Sequence, residues 1–316
     1  MFMKNNKTWI FYCVAVVCFL VGCQPEKKAE KSEEKPAVIT EKPVEKSNLQ
    51  LLGQAEKLDL DLPVCQEQNC PKLSIYRLNS NQIFIDEFID QQILLLLKQT
   101  LNVEIPDGME QKTASSEPKN LENLLSPKQK LEQGVLPYKT DFIALDQEAK
   151  ALSANHQISF SISPKILNSE GNLVTVVLNS NHYLGGAHGS VSQQYFNFDL
   201  EKKKLVPLQE LVEQNQLAQL EKKAHTVFEK WVIDTLLAEN VKEYEQVWPF
   251  KLPKNYYLGR NGLILQYGEY EIGPYVVGLP RLVIPYDDLK GILKEKYLVK
   301  NNMKSDISSS SEVLAE

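Results

Sequence analysis

The chain of 316 residues is poor in the groups from which local catalytic signatures are built. It has four histidines, none opens a His-Glu-x-x-His, and no Gly-x-Ser-x-Gly occurs. A metalloprotease helix and a nucleophile elbow are thereby excluded as local motifs. A basic excess is also missing: 35 Lys and Arg stand against 41 Asp and Glu, a formal net charge of −6. Without a basic footprint the chain does not read as a nucleic-acid binder. An acidic surface instead attracts a basic partner by long-range steering. Long apolar runs are scarce. The run from Trp9 to Val21 falls short of the roughly 20 residues that a bilayer-spanning helix needs.

What the N-terminus does contain is informative. Lys4 and Lys7 precede the apolar run, and the run ends in Leu20-Val21-Gly22-Cys23. A basic start, a short apolar stretch and small residues at its end read as a secretory signal peptide, residues 1–22. The ending resembles the lipobox of bacterial lipoproteins, which implies that Cys23 is acylated and becomes the mature N-terminus. An uncleaved anchor with a chance cysteine is the alternative. Several acyl chains on Cys23 would hold the protein firmly, since one chain is marginal. Processing leaves 33 basic and 41 acidic residues, a formal charge of −8. Gln24 follows Cys23 where an inner-membrane retention signal would have Asp. The expected place is therefore the outer membrane, facing the periplasm, if the cell has two membranes.

Of the five cysteines, Cys13 and Cys18 leave with the signal peptide and Cys23 carries lipid. Cys65 and Cys70 are left, and in an oxidising compartment a lone pair reads as a disulfide. Closing that small loop would stabilise the fold by roughly 2 kcal/mol. A redox-active pair is the alternative, without a Cys-x-x-Cys spacing to support it.

Residues 23–57 form a tether: Gln24 to Asn48 holds six Lys, six Glu and three Pro and cannot bury enough surface to offset its ordering entropy. Residues 301–316 read as a frayed tail. Between them, residues 58–154 are expected to form a smaller α/β subdomain and residues 155–300 a C-terminal domain. A strand over Leu73–Leu78 precedes a helix over Asp86–Leu101, where Leu94 and Leu95 widen the apolar stripe to more than one side. Leu121 to Leu131 suggests a short helix interrupted near Pro127, after a turn at Pro106-Asp107-Gly108, and Tyr138 to Ser153 another helix. Ile158, Phe160 and Ile162 alternate with serines in a half-buried strand. Leu173–Leu178 and Tyr195–Leu200 follow as neighbours. A helix then carries Leu217, Leu220, Ala224, Val227, Phe228 and Trp231 on one stripe. Leu263–Tyr267 and Leu282–Ile284 are strands, and Tyr286–Tyr297 a closing helix. The expected class is α+β, with a mainly antiparallel sheet and packed helices.

Two segments stand out: His182-Tyr183-Leu184-Gly185-Gly186-Ala187-His188-Gly189, between two strands, and Tyr267 to Pro285, which leads into Tyr286-Asp287-Asp288-Leu289. Gly185 and Gly186 supply a tight turn. His188 reads as a hydrogen-bonded turn residue or a ligand contact. A metal pair of His182 with His188, approached by Glu269 or Glu271, is a third reading, and no metal or other cofactor is expected. In Tyr270-Glu271-Ile272-Gly273-Pro274-Tyr275, tyrosines on a stiff Gly/Pro loop offer contact area at low entropy cost, or else pack over the sheet end. His156 and His225 read as surface or capping residues.

Taken together, Tyr-x-Gly-Gly-Ala-His, Tyr-Glu-Ile-x-Pro-Tyr-x-x-Gly and Ile-Pro-Tyr-x-x-Leu, in this order over Asp141 to Leu298, resemble the RsiV-like exported domain family, the sensor domain of lysozyme-sensing anti-sigma factors. Leu73 to Leu101 is similar to the smaller domain that precedes it there. The resemblance implies envelope binding, with lysozyme or peptidoglycan as the partner. Only Met1 to Lys7 precede the apolar run, so no sigma factor is expected as a partner. Other relatives carry a polysaccharide deacetylase module, whose Asp/His pattern is not found. The expected function is a lipid-anchored, non-catalytic binding protein, with Gly186, His188, Tyr270, Pro274 and Tyr275 meeting the partner. The alternatives are a cell-wall-modifying enzyme whose site has no local signature, and a structural envelope scaffold.

Changing Cys23 to Ala should leave unprocessed precursor and abolish metabolic labelling with palmitate. Labelling that persists in the variant would refute the lipid assignment.

Overall fold

A computed structural model describes residues 49–66, 69–101, 125–152, 157–171 and 173–297. The signal peptide with Cys23, most of the tether, the Pro106–Gly108 turn, the first part of the helix expected from Leu121, His156 and the tail lie outside the described residues.

Six strands make one sheet in chain order: β1 (Gly53–Lys57), β2 (Lys72–Ser80), β3 (Ser159–Asn168), β4 (Val174–Tyr183), β5 (Ser190–Asp199) and β6 (Lys204–Leu205). Every pairing is antiparallel except that of β2 with β3. A parallel pair needs a long crossover, and here it holds two helices, α1 (Ile83–Leu101) and α2 (Pro127–Leu152). The α+β class is as expected. The boundary expected at residue 155, however, does not divide the core, because the sheet runs across it through the β2–β3 pair.

Local chemistry explains the elements. In β3, Phe160 and Ile162 are buried while Ser159, Ser161 and Ser163 are half-buried, as alternation requires. Along α1, Ile85, Ile89, Ile93, Leu96 and Leu97 are buried. Truncating one such isoleucine to Ala would cost about 2–5 kcal/mol. Leu94 packs beside Gly134 of α2, so α1 is covered by the sheet and by α2 as the widened stripe suggested, but Leu95 is 45% exposed. In α2, Leu131, Val135, Tyr138 and Phe142 fall on one face. The break expected near Pro127 is instead a start. Ser126 Oγ accepts from Gln129 N at 3.2 Å and Gln129 Oε1 accepts from Ser126 N at 2.9 Å, a capping box with proline at the first helical position. The helix continues through Pro137, which merges two expected helices into one.

A second core follows. It joins α3 (Leu208–Leu211), α4 (Leu217–Asp234) and α5 (Val241–Val247) to a three-stranded antiparallel sheet of β7 (Tyr256–Leu258), β8 (Gly262–Gln266) and β9 (Arg281–Pro285). Leu220, Ala224, Phe228 and Val232 of α4 are buried against Leu263, Leu265, Leu282 and Ile284. The closing helix expected over Tyr286–Tyr297 resolves into two short 3-10 turns, Tyr286–Leu289 and Glu295–Tyr297.

The two cores meet at the outer edge of β5. Strand β6 pairs only with Phe198 and Asp199, so the rest of that edge has no strand beside it. Side chains and loops take the place of one. Asn255 Oδ1 accepts from Tyr195 N at 2.8 Å, and its Nδ2 donates to Gln193 O at 2.7 Å. Behind this edge the buried Asn197 accepts from Thr175 Oγ1 and donates to Tyr256 O. At the far end of β4, Leu51 N donates to Ser169 O and Gln50 bridges Glu170. Residues 50–51 therefore lie beside the β3–β4 turn. The Cα atoms of Cys65 and Cys70 are 5.7 Å apart and their sulfurs are bonded.

On α1, Asp90 Oδ2 is 2.9 Å from Arg77 Nη2. Burial outweighs that cation and pushes the Asp90 carboxyl up to about 6. A raised folded-state value means a stabilising contribution that is complete below the unfolded value of about 3.9 and lost as pH rises through about 6. The denaturation midpoint should therefore rise as pH falls from 7 toward 5. Asp90→Asn should shrink that rise, and an unchanged slope by chemical denaturation would contradict the assignment.

Candidate functional site

The turn between β4 and β5 and the loop after β8 come together at one end of the long sheet. Gly185 and Gly186 take positive φ values of 97° and 99°, which glycine adopts at no steric cost. Tyr183 Oη donates to Gly186 O at 3.0 Å. His188 Nδ1 lies 2.9 Å from Gly189 O. A carbonyl only accepts, so Nδ1 carries the proton and Nε2 of the neutral ring is left as an acceptor. The Tyr270 hydroxyl sits 3.2 Å from that Nε2. Tyr275 stacks on the His188 ring at 3.9 Å between centroids and donates its hydroxyl to Gly189 O at 3.0 Å.

The loop is held from below. Ile272 is fully buried, and Tyr244 Oη donates to Ile272 O at 2.9 Å. Glu271 Oε2 accepts from Gly268 N at 2.8 Å. A Cβ on Gly273 would lie 2.8 Å from Tyr244 Oη, so that position admits only glycine without a shift. Between these anchors Tyr270 has φ 60°, an outlier for a bulky aromatic residue. Such conformations persist where the surroundings over-determine them, and they cluster at functional sites.

Under the aromatic groups lies a carboxylate. Glu269 accepts from Ser190 Oγ at 2.6 Å and from Val191 N at 3.1 Å, which covers another stretch of the β5 edge. His182 pairs across the strands with Ser190, and its ring lies over Phe160 at 5.3 Å. Burial holds the His182 imidazole below its ordinary value, with the charge of Glu269 opposing, and its buried Nδ1 has no hydrogen-bond partner. Tyr270 is 50% exposed, Tyr275 37%, Val276 84% and Val191 45%, so the rim presents an apolar patch of the kind that marks an interaction site.

Of the residues singled out in the sequence, His188, Tyr270 and Tyr275 thus touch one another. Gly186 and Pro274 shape backbone: Gly186 O serves Tyr183 within the turn, and Pro274 O accepts from Val277 N within the loop. His182 and His188 face different neighbours, and among the described residues no group of three His, Cys, Asp or Glu can hold a metal ion. Ser190 and the role of Glu269 escaped sequence reasoning. The available signal was the acidic residue directly before Tyr270.

Comparison with known proteins fits this α+β architecture. Residues 198–287 match the model of the DUF3298 family, described as a protein of unknown function. Two solved structures share the fold. A DUF3298 family protein from Pseudomonas aeruginosa aligns with a TM-score of 0.54 and 22% identity over 79% of this chain and 96% of that one. A DUF3298 member from Bacteroides fragilis aligns at 0.50 and 17% identity, over 78% and 96%. In sequence, 171 residues are 26% identical to the peptidoglycan-N-acetylmuramic acid deacetylase PdaC of Bacillus subtilis, covering 51% of this chain and 35% of the relative. The chain therefore spans about a third of the length of the curated relative it matches. That relative is an enzyme of the cell wall, which overturns the expectation of a non-catalytic binding protein and favours the cell-wall-modifying alternative.

The geometry makes a titration prediction. His182 should titrate below the unperturbed value near 6.5, and Glu269→Gln should lower it further, since the carboxylate charge is what opposes the shift. A His182 resonance that moves upward in the variant, followed by NMR, would contradict this arrangement.

Proposed function

We propose that the chain is a cell-wall-modifying enzyme that hydrolyses an N-acyl group on the amino sugars of peptidoglycan, working at the rim formed by His188, Glu269, Tyr270 and Tyr275. The observation that carries the reading is the strained Tyr270, whose hydroxyl is aimed at the acceptor nitrogen of His188 beside an exposed aromatic stack. The similarity to part of a peptidoglycan deacetylase supports the substrate class, and the chemistry is assigned to the rim residues because the Asp/His pattern of a polysaccharide deacetylase module is not found in this sequence. An exposed aromatic face suits the apolar face of a sugar ring.

The roles follow from the contacts. Water adds to the acyl carbonyl, the C–N bond breaks, acetate leaves, and the amine gains a proton. Glu269, already an acceptor for Ser190 at 2.6 Å, takes the proton from the attacking water. The Tyr270–His188 pair gives a proton to the departing amine, and the proton held by Glu269 passes back to that pair through water before the next turnover. Tyr275, stacked on His188, holds the imidazole plane. The resemblance to RsiV-like exported domains and the lipobox-like Cys23 support an exported, lipid-tethered setting. Peptidoglycan is then the partner within reach, in the periplasm if the cell has two membranes.

The full chain incubated with purified peptidoglycan should release acetate, with matching acetyl loss in muropeptides by mass spectrometry. Glu269→Gln and His188→Ala should each slow release about a hundredfold or more; His188→Ala should keep the thermal midpoint within a few degrees, and Glu269→Gln, which also weakens the contacts to Ser190 and Val191, is assayed well below its own midpoint. Release that is unchanged in both variants would place the chemistry elsewhere. No release from the unaltered chain would end the enzymatic reading.

A further inference from the structure

The cleft along the β5 edge belongs to none of the roles above. It has a volume of about 590 Å³, inside the roughly 300–1,000 Å³ typical of small-ligand sites. It lies at the seam of the two cores, where the outer edge of β5 faces residues 254–256 at the start of β7. Its floor is apolar, from Phe196, Leu205 and Val206, and Gly268 and Glu271 of the rim loop also line it. The cleft thus borders the loop that carries Glu269 and Tyr270.

Its polar lining divides in two. Asn255, Asn197 and Gln193 are committed to holding the walls together. Gln92 of α1, Gln194 of β5 and Lys254 also line the cleft, and among the described residues their side chains enter no hydrogen bond or ion pair. Two uncommitted amides over an apolar floor match a neutral ligand that carries both N–H and C=O groups together with flat apolar faces. A single cation does not make a phosphate site, and the lining lacks the basic track that a nucleic acid requires.

We infer that this cleft is a subsite for an N-acetylated amino-sugar oligosaccharide, in which a glycan strand reaching the rim lays its neighbouring sugars along β5 with their acetamido groups on Gln92 and Gln194. The inference rests on the peptidoglycan reading of the rim. The shared loop, which lines the cleft at Gly268 and Glu271 and carries the rim residues between them, is what selects a polymer over a small metabolite, because a strand of several sugars can reach both places. N-acetylglucosamine oligomers test it without the muropeptide chemistry, since they carry the acetamido group but neither the lactyl ether nor the peptide.

The experiment titrates the full chain with N-acetylated chitotetraose and with the same tetramer stripped of its acetyl groups, followed calorimetrically. The acetylated tetramer should bind and the stripped one should bind at least about tenfold more weakly. The double variant Gln92→Ala/Gln194→Ala should lose about tenfold in affinity for the acetylated tetramer and bind the two forms alike, with an unchanged thermal midpoint. Affinity and discrimination that both survive in the double variant would overturn the subsite, as would failure of the unaltered chain to bind. Acetate release from peptidoglycan is scored separately. Binding that is weakened by the double variant in a chain that releases no acetate keeps the subsite and removes the enzyme. Release with a KM untouched by the double variant keeps the enzyme and removes the subsite.

Discussion

The outer edge of β5 is the constraint on which the rest of this structure depends. A strand edge presents backbone donors and acceptors that must be satisfied or exposed to water. Here a two-residue strand covers one end of it, and side chains cover much of the remainder. Asn255 imitates a neighbouring strand by accepting from Tyr195 N and donating to Gln193 O. Glu269 does the same for Val191 N. Each contact comes from the second core, so satisfying the edge and docking the two cores are one event. Thr175, Asn197 and Tyr256 extend the connection inward as a buried polar chain in which both ends of the Asn197 amide are occupied. A buried amide left half-satisfied would cost about 1–3 kcal/mol, so this arrangement specifies the register between the cores as well as stabilising it.

The rim is a by-product of that docking. Once Glu269 is fastened to Ser190 and Val191, the loop behind it has little choice of path. Ile272 is buried in the second core while Tyr270 and Tyr275 are carried over the β4–β5 turn. The left-handed backbone at Tyr270 is the geometric cost of meeting both demands within three residues. Gly189 O receives two donors, His188 Nδ1 and Tyr275 Oη, which uses both of its lone pairs and locks the imidazole in orientation. A group held this way needs no rearrangement when a ligand arrives, which is the property that preorganised sites share.

How much of this was legible in the sequence follows from the range of the forces involved. The alternation of Phe160 and Ile162 with serines and the α4 stripe are local, and both were readable. The helix end at Pro127 was misread because proline breaks a helix interior but suits a first turn, and the Ser126–Gln129 exchange that decides between them is a detail of capping. Leu94 and Leu95 looked like a wider apolar face, and Leu94 does pack beside Gly134 of α2, while Leu95 turns to solvent because neither the sheet nor α2 covers that position. The domain boundary failed for a different reason: a parallel β2–β3 pairing joins residues nearly ninety positions apart, and no local pattern announces it. The meeting of His188 with Tyr270 and Tyr275 was legible as two loops between strands. Glu269 was not, because its partners lie 78 and 79 residues away and an isolated acid has no period.

The sheet also acts as a ruler. The chain reaches the fold beside the β3–β4 turn, where Gln50 bridges Glu170, and the rim occupies the opposite end of β4. Ten residues of strand separate them, about 30 Å at the usual rise, which is as long as the hydrocarbon thickness of a bilayer. A force applied at Gln50 would therefore act on the end of the sheet farthest from the aromatic face, with the whole length of β4 between them.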